Sequence, residues 1–193
     1  MMKRIFTVCL VAMLAMAVQA QGAVQGYTVD KNGDVVATRI VEGLALKKQE
    51  IYEAGLKYLR EAYKETKYKI VIESAENGVV AGEGEFLAFH EANIFPYSYF
   101  LDAPFCLRID AKDNRARVAI IFSYYDGKRT NINETVDIHD HISDFAPINS
   151  GNSDKRRLYQ KAFPLLLEKA GKTLTEVEEM LKSTRSVAVD TDW

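Results

Sequence analysis

The chain of 193 residues has little cysteine, little proline and no excess of either charge. Its two cysteines, Cys9 and Cys106, cannot make a disulfide framework or a four-cysteine zinc site. Four prolines and eleven glycines exclude a collagen-like or low-complexity chain. Lys and Arg number 25 against 27 Asp and Glu, so no basic footprint offers itself to nucleic acid. Beyond residue 18 no apolar run approaches the roughly 20 residues a spanning helix needs, which predicts no membrane span in the mature chain.

What is present begins with an address. Lys3 and Arg4 open the chain, residues 5–18 are uncharged and apolar, and Val18, Gln19 and Ala20 close the run. Basic start, short apolar middle and small-residue end make a secretory signal over residues 1–20, with cleavage before Gln21. No cysteine follows the cut, so a lipoprotein is excluded and a periplasmic or extracellular location is expected. With 20 residues gone, 173 of 193 remain, carrying 23 basic and 27 acidic groups and one thiol, Cys106. The fold must then be held by its core.

The mature chain reads as a single α+β domain over residues 21–182, with a loose tail over 183–193. Residues 34–42 are rich in β-branched types and suit a strand. Ile51, Ala54, Gly55, Tyr58, Leu59, Ala62 and Tyr63 recur at helical spacing and predict an amphipathic helix over 47–66, with Glu53 and Lys57 paired across one turn. Tyr68, Ile70 and Ile72 then alternate, Asn77-Gly78 predicts a tight hairpin turn, and residues 79–89 return. Gly82 and Gly84 share a face there, a track on which a helix would fit closely.

Residues 97–109 alternate through Tyr97, Tyr99, Leu101, Ala103, Phe105, Leu107 and Ile109, while Pro96 and Pro104 imply an edge, a bulge or a late start. After a turn at 111–114, residues 115–125 return with Ala116, Val118, Ile120, Phe122 and Tyr124 on one face. Segment 126–153 reads as irregular. A helix over 154–170 follows, with Leu158, Ala162, Leu165 and Leu166 on its stripe and Gly171 as its cap. Thr173 to Glu176 forms a capping box that would start a second, short helix. The expected fold is a curved antiparallel sheet with helices packed on one face.

Chemistry is sparse. Asp137, His139 and His141 would project from one face of an extended segment and could share a divalent metal with a carboxylate as third ligand. The same stretch also reads as a polar loop anchored by Ile138 and Ile142, and a short His-x-His without a second pair favours that. No Gly-x-Ser-x-Gly elbow exists, Ser150 and Ser153 sit where turn and cap serines are expected, and Cys106 lies within a strand. Glu83, Glu85 and Glu91 supply carboxylates without a pattern, and Lys155-Arg156-Arg157 opens a helix as a solvated face or an anion contact. The aromatic side chains Tyr97, Tyr99 and Tyr125 are the candidate ligand contacts.

Residues 47–86, with their Val79-Val80-Ala81-Gly82-Glu83-Gly84 return, resemble the secreted Bacteroidetes domain of unknown function with a TATA-binding-protein-like fold. The paired strands Phe105-Cys106-Leu107-Arg108-Ile109-Asp110 and Arg115 to Tyr125, joined through Lys112-Asp113-Asn114-Arg115, are similar to that family's later strands. The resemblance spans about residues 35–125, implies a curved sheet backed by helices, and carries over no active-site residue. A fold name does not import DNA binding, because function resides in sites. The expectation is a non-catalytic envelope domain that binds a protein, peptide or glycan and needs no cofactor. The alternative is a metal-binding protein or metal-dependent hydrolase using His139 and His141.

Overall fold

The alternation of residues 97–112 decides the architecture. In the computed structural model, which describes residues 26–62, 69–145 and 153–184, Tyr99, Leu101, Ala103, Phe105, Leu107, Ile109 and Ala111 are all buried. Their neighbours Ser98, Asp102, Arg108 and Asp110 face the other way and are half exposed. The leader over residues 1–20, Tyr63, Thr66, Tyr68, Ser150, Gly151 and the tail beyond 184 lie outside the described residues.

The elements in chain order are β1 (Tyr27–Val29), β2 (Val35–Glu42), α1 (Lys48–Ala62), β3 (Ile70–Ser74), β4 (Val79–Ile94), β5 (Tyr97–Lys112), β6 (Arg115–Phe122), β7 (Tyr124–Thr130), β8 (Thr135–His141), α2 (Ile142–Phe145) and α3 (Ser153–Ser183). The strands form one antiparallel sheet. Six follow the order β1-β2-β6-β5-β4-β3, and β7 pairs with β5 and with β8. One strand thus serves two neighbours on one side: β5 pairs with β6 from Cys106 to Lys112 and with β7 from Ser98 to Asp102. The sheet has a broad half around β6 and a narrow half around β7.

Three irregularities mark the boundary. Pro104 falls among the residues 103–105 that face neither β6 nor β7, so its missing donor costs no bond there. On β4 the register shifts between Phe86 and His90, a bulge in which Ala88 takes φ 42° and donates its N–H to Asp102 Oδ1 at 2.6 Å. Between β6 and β7, Ser123 breaks the strand, and its carbonyl accepts from Ile142 N at 2.8 Å. The break shifts the side-chain phase. Tyr125 is therefore fully buried and Tyr124 half exposed, the reverse of unbroken alternation.

Both long helices cover the same face. Ile51, Tyr52 and Leu59 of α1 join the sheet's buried positions, with Leu158, Ala162, Phe163, Leu166, Ala170, Leu174, Val177 and Leu181 of α3, in one core. Close approach of α1 runs through Gly55, where a Cβ would stand 3.1 Å from Ile109 and 3.2 Å from Val80. Gly84 does not admit a helix: the Phe105 ring of the neighbouring strand occupies that space. The hairpin turn at Asn77-Gly78 is a four-residue loop in which Gly78 alone takes a positive φ, 65°. The Glu53–Lys57 pair is replaced by Gln49–Glu53 and Lys57–Glu61 contacts.

α3 corrects the C-terminal reading. It runs unbroken for 31 residues through Pro164 and Gly171. The apolar stripe keeps its helical phase from Leu166 through Ala170 and Leu174 to Leu181, and this burial outweighs the roughly 1 kcal/mol that an internal glycine costs. Thr173, the cap of the expected box, lies inside the continuous helix and starts nothing, and Thr175 has another use. Its hydroxyl donates back to Gly171 O at 2.9 Å and accepts from Arg39 Nη1 at 2.8 Å, while Glu178 takes the same guanidinium at 2.9 Å. This clamp ties β2 to α3. Leu165 points outward, 38% exposed, beside the exposed Pro164.

Segment 126–153 is also more regular than its composition suggests, supplying most of the β7–β8 hairpin and α2. Polar residues hide the pattern because β7 and β8 face solvent over much of their length. No helix among the described residues is long and apolar enough to cross a membrane.

Candidate functional site

The β7–β8 hairpin sorts its residues onto two faces. On the outer face His139 Nδ1 lies 2.6 Å from Asp126 Oδ1, and its ring stacks on Tyr124 at 4.3 Å. His141 meets the same tyrosine edge-on at 5.1 Å, with its Nδ1 2.8 Å from Ser143 Oγ. Tyr124 therefore fills the space that a metal shared by His139 and His141 would use. Among the described residues no three His, Cys, Asp or Glu side chains are grouped so as to hold a metal ion.

The inner face is the richer one. Asp140 accepts from Lys155 Nζ through both oxygens at 2.9 Å and from the Tyr159 hydroxyl at 2.6 Å. The sequence alternation places Asp140 opposite His139, and the first turns of α3 bring Lys155 and Tyr159 to it at i, i+4 spacing. Burial raises the Tyr159 hydroxyl far above its usual pKa, and the hydrogen bond to Asp140 adds to the effect, so it stays a donor. Tyr125 stacks on Tyr159 at 4.6 Å; burial raises its pKa as well, and among the described residues its hydroxyl has no partner.

Between this cluster and β5 lies a cleft of about 400 Å³. Tyr97 and Tyr99 wall it from β5, Arg129 from β7, Val136 to Asp140 from β8, and Lys155, Leu158 and Tyr159 from α3. Arg129 spreads over the Tyr97 ring at 4.4 Å and reaches Glu134 at 3.4 Å, yet among the described residues its buried Nε has no acceptor. An orphaned buried donor of this kind costs about 1–3 kcal/mol until something accepts from it.

Of the residues singled out from sequence, Tyr97, Tyr99, Asp137 and His139 line this cleft. Tyr125 lies buried behind it, and His141 is 3.8 Å from Asp34 near the β1–β2 turn. Sequence reasoning missed Arg129, Asp140 and Tyr159. Only Lys155, at the head of the basic cluster, carried a signal. Glu91 is separated from Glu83 and Glu85 by the β4 bulge. Cys106 sits half-buried on the open face, where burial and then Glu83 push its thiol up against the opposing pull of Arg108, leaving an inert thiol.

The stretch from β2 to the start of β7 has a match among known families. Residues 38–124 fit the model of a domain of unknown function (DUF4468) with TBP-like fold. The matched stretch is just under half of the chain, and over it the sequence is similar to that family. A TBP-like protein from Parabacteroides distasonis ATCC 8503 shares its fold with a TM-score of 0.60 at 15% identity, covering 81% of this chain and 97% of that one. A DUF4468 family protein from Bacteroides ovatus ATCC 8483 gives 0.55 at 16% identity, covering 85% and 94%. No curated protein matches the chain. The DUF4468 match ends at Tyr124, so most of β7, all of β8 and α3 lie beyond it. The cleft is walled largely by those later elements, together with β5.

Proposed function

We propose that this protein is a non-catalytic binding domain of the cell envelope that takes an extended peptide segment of a partner protein along β8. The observation carrying this reading is the unpartnered Arg129 Nε in a cleft beside an open sheet edge. Among the described residues β8 pairs with β7 alone, so its outer backbone groups are free to extend the sheet. A peptide supplies both needs at once: backbone for the edge, and a carbonyl or carboxylate for Arg129. A glycan fits less well, because Arg129 covers the Tyr97 ring and Tyr99 is buried, which leaves no flat aromatic in the cleft open for stacking on a sugar. The leader read from residues 1–20 of the sequence supports an encounter outside the inner membrane.

The test screens mature protein (residues 21–193) against an array of extended peptides and, in parallel, a glycan array. Peptide binding that weakens at least tenfold in Arg129→Gln and in Tyr97→Ala supports the reading. Glycan binding without peptide binding, or peptide binding indifferent to both substitutions, overturns it.

A further inference from the structure

Across the first turns of α3 from the cleft lies a second hollow, of about 750 Å³. Residues His90 to Phe95, the part of β4 beyond its bulge, form one side, and Arg157, Leu158 and Lys161 of α3 form the other. Arg157 and Lys161 are four residues apart on one helix face, so both cations lean toward the same space. Both are exposed, and neither makes an ion pair among the described residues. Facing them from β4 is His90, whose Nε2 is buried without a partner among the described residues. Glu91 is the single acid in the lining, and Ile94, Phe95 and Leu158 give the hollow an apolar part. Phe95 is 97% exposed beside these charges, so nothing within the described chain uses that surface.

We propose that this hollow binds a phosphate- or sulfate-class anion, the acidic group of a larger molecule whose apolar part rests on Ile94 and Phe95. Two cations and one ring nitrogen approach from two elements, which suits an oxyanion with several acceptor oxygens. His90 gives the site a pH response. Burial, and next the Lys161 charge, lower its pKa, so the empty site holds a neutral ring near pH 7. Arg157 also opposes protonation and Glu91 favours it; an arriving anion favours it strongly. Binding therefore tightens as pH falls through the pKa of His90, with proton uptake. The site is independent of the peptide reading, because His90, Arg157 and Lys161 do not line the Tyr97 cleft.

The test follows the His90 ring by NMR during titration with inorganic phosphate, and with sulfate, whose charge is the same at both values, at pH 7.5 and pH 6.0; with three histidines in the chain its signal is readily assigned. Saturable shifts, stronger binding at pH 6.0 and an upward move of the His90 pKa are expected. Arg157→Gln and Lys161→Gln should each weaken binding about tenfold. Shifts that stay linear, or that persist equally in both variants, overturn the proposal. A second arm offers phosphatidylglycerol vesicles in place of phosphate. Vesicle binding lost in Phe95→Ser identifies a lipid headgroup as the source of the anion, whereas phosphate binding alone identifies a soluble ligand. Absence of both overturns the site.

Discussion

The broad and narrow halves of the sheet share β5 and are built on opposite terms. Around β6 the core is mainly aliphatic, with Phe86, Phe105 and Phe122 packed together at its end: Val80, Leu107, Ile109, Val118 and Ile120 meet Ile51 and Leu59 of α1 and Leu166 of α3, and polar groups are tied off. Arg39 is held by Thr175 and Glu178, and Asp110 by Arg108 and Arg117. Around β7 the core is aromatic and carries hydroxyls. The buried side-chain atoms without partners among the described residues, His90 Nε2, Tyr125 OH and Arg129 Nε, belong to the narrow half. Such atoms are costly, so their gathering in one half separates the part that holds the fold from the part that offers contacts.

The largest expected effect lies in the broad half. Leu107→Ala empties a fully buried site on β5 and should cost about 3 kcal/mol, read as a lower urea midpoint with an unchanged slope. A loss below about 1 kcal/mol would mean that the broad half is not the stability core. A tyrosine pair then sharpens the contrast within the narrow half. Tyr159→Phe removes a donor to a carboxylate and should cost about 2 kcal/mol. Tyr125→Phe removes a hydroxyl with no partner and should leave stability unchanged or raise it by up to about 1 kcal/mol. Equal losses in the two variants would break the comparison.

The smallest effect is the pH dependence of the open-face network. Burial works against ionisation of Asp110, but hydrogen bonds from Arg108 and Arg117 outweigh it and hold the carboxyl below its usual range. A lowered folded pKa gives a contribution complete above the unfolded value of about 3.9 and lost as pH falls through the folded one. Asp110→Asn should therefore cost about 1 kcal/mol at pH 7, with solvent screening included, and progressively less as pH falls below about 4. A gap that persists undiminished at pH 2.5 would assign the loss to shape rather than charge.

The halves also differ in how well the sequence announces them. Strict alternation in residues 97–111 and 116–122 places the broad half's strands, and the stripe of α1 is equally plain. The narrow half escapes for physical reasons. At Ser123 the phase slips by one residue, so Tyr124 and Tyr125 exchange faces. On β8 one face meets solvent with Asp137, His139 and His141 while Asp140 on the other finds Lys155 and Tyr159, and both faces read as polar. At Gly171 local capping signals compete with a long apolar stripe, and the stripe prevails. The cleft was legible in its tyrosines and illegible in Arg129, whose part depends on three elements meeting.

Backbone ladders are what make a sheet stiff against bending, and this one has a place where the ladder is interrupted. Opposite residues 103–105 neither β6 nor β7 is bonded to β5, and the β4 bulge lies at almost the same level. Proline at position 104 keeps that seam from closing by pairing with a neighbour or with another chain. A crease thus crosses the middle of the sheet, where β5 is laddered to β4 alone, and α3, packed on both halves, bridges it on the helical face.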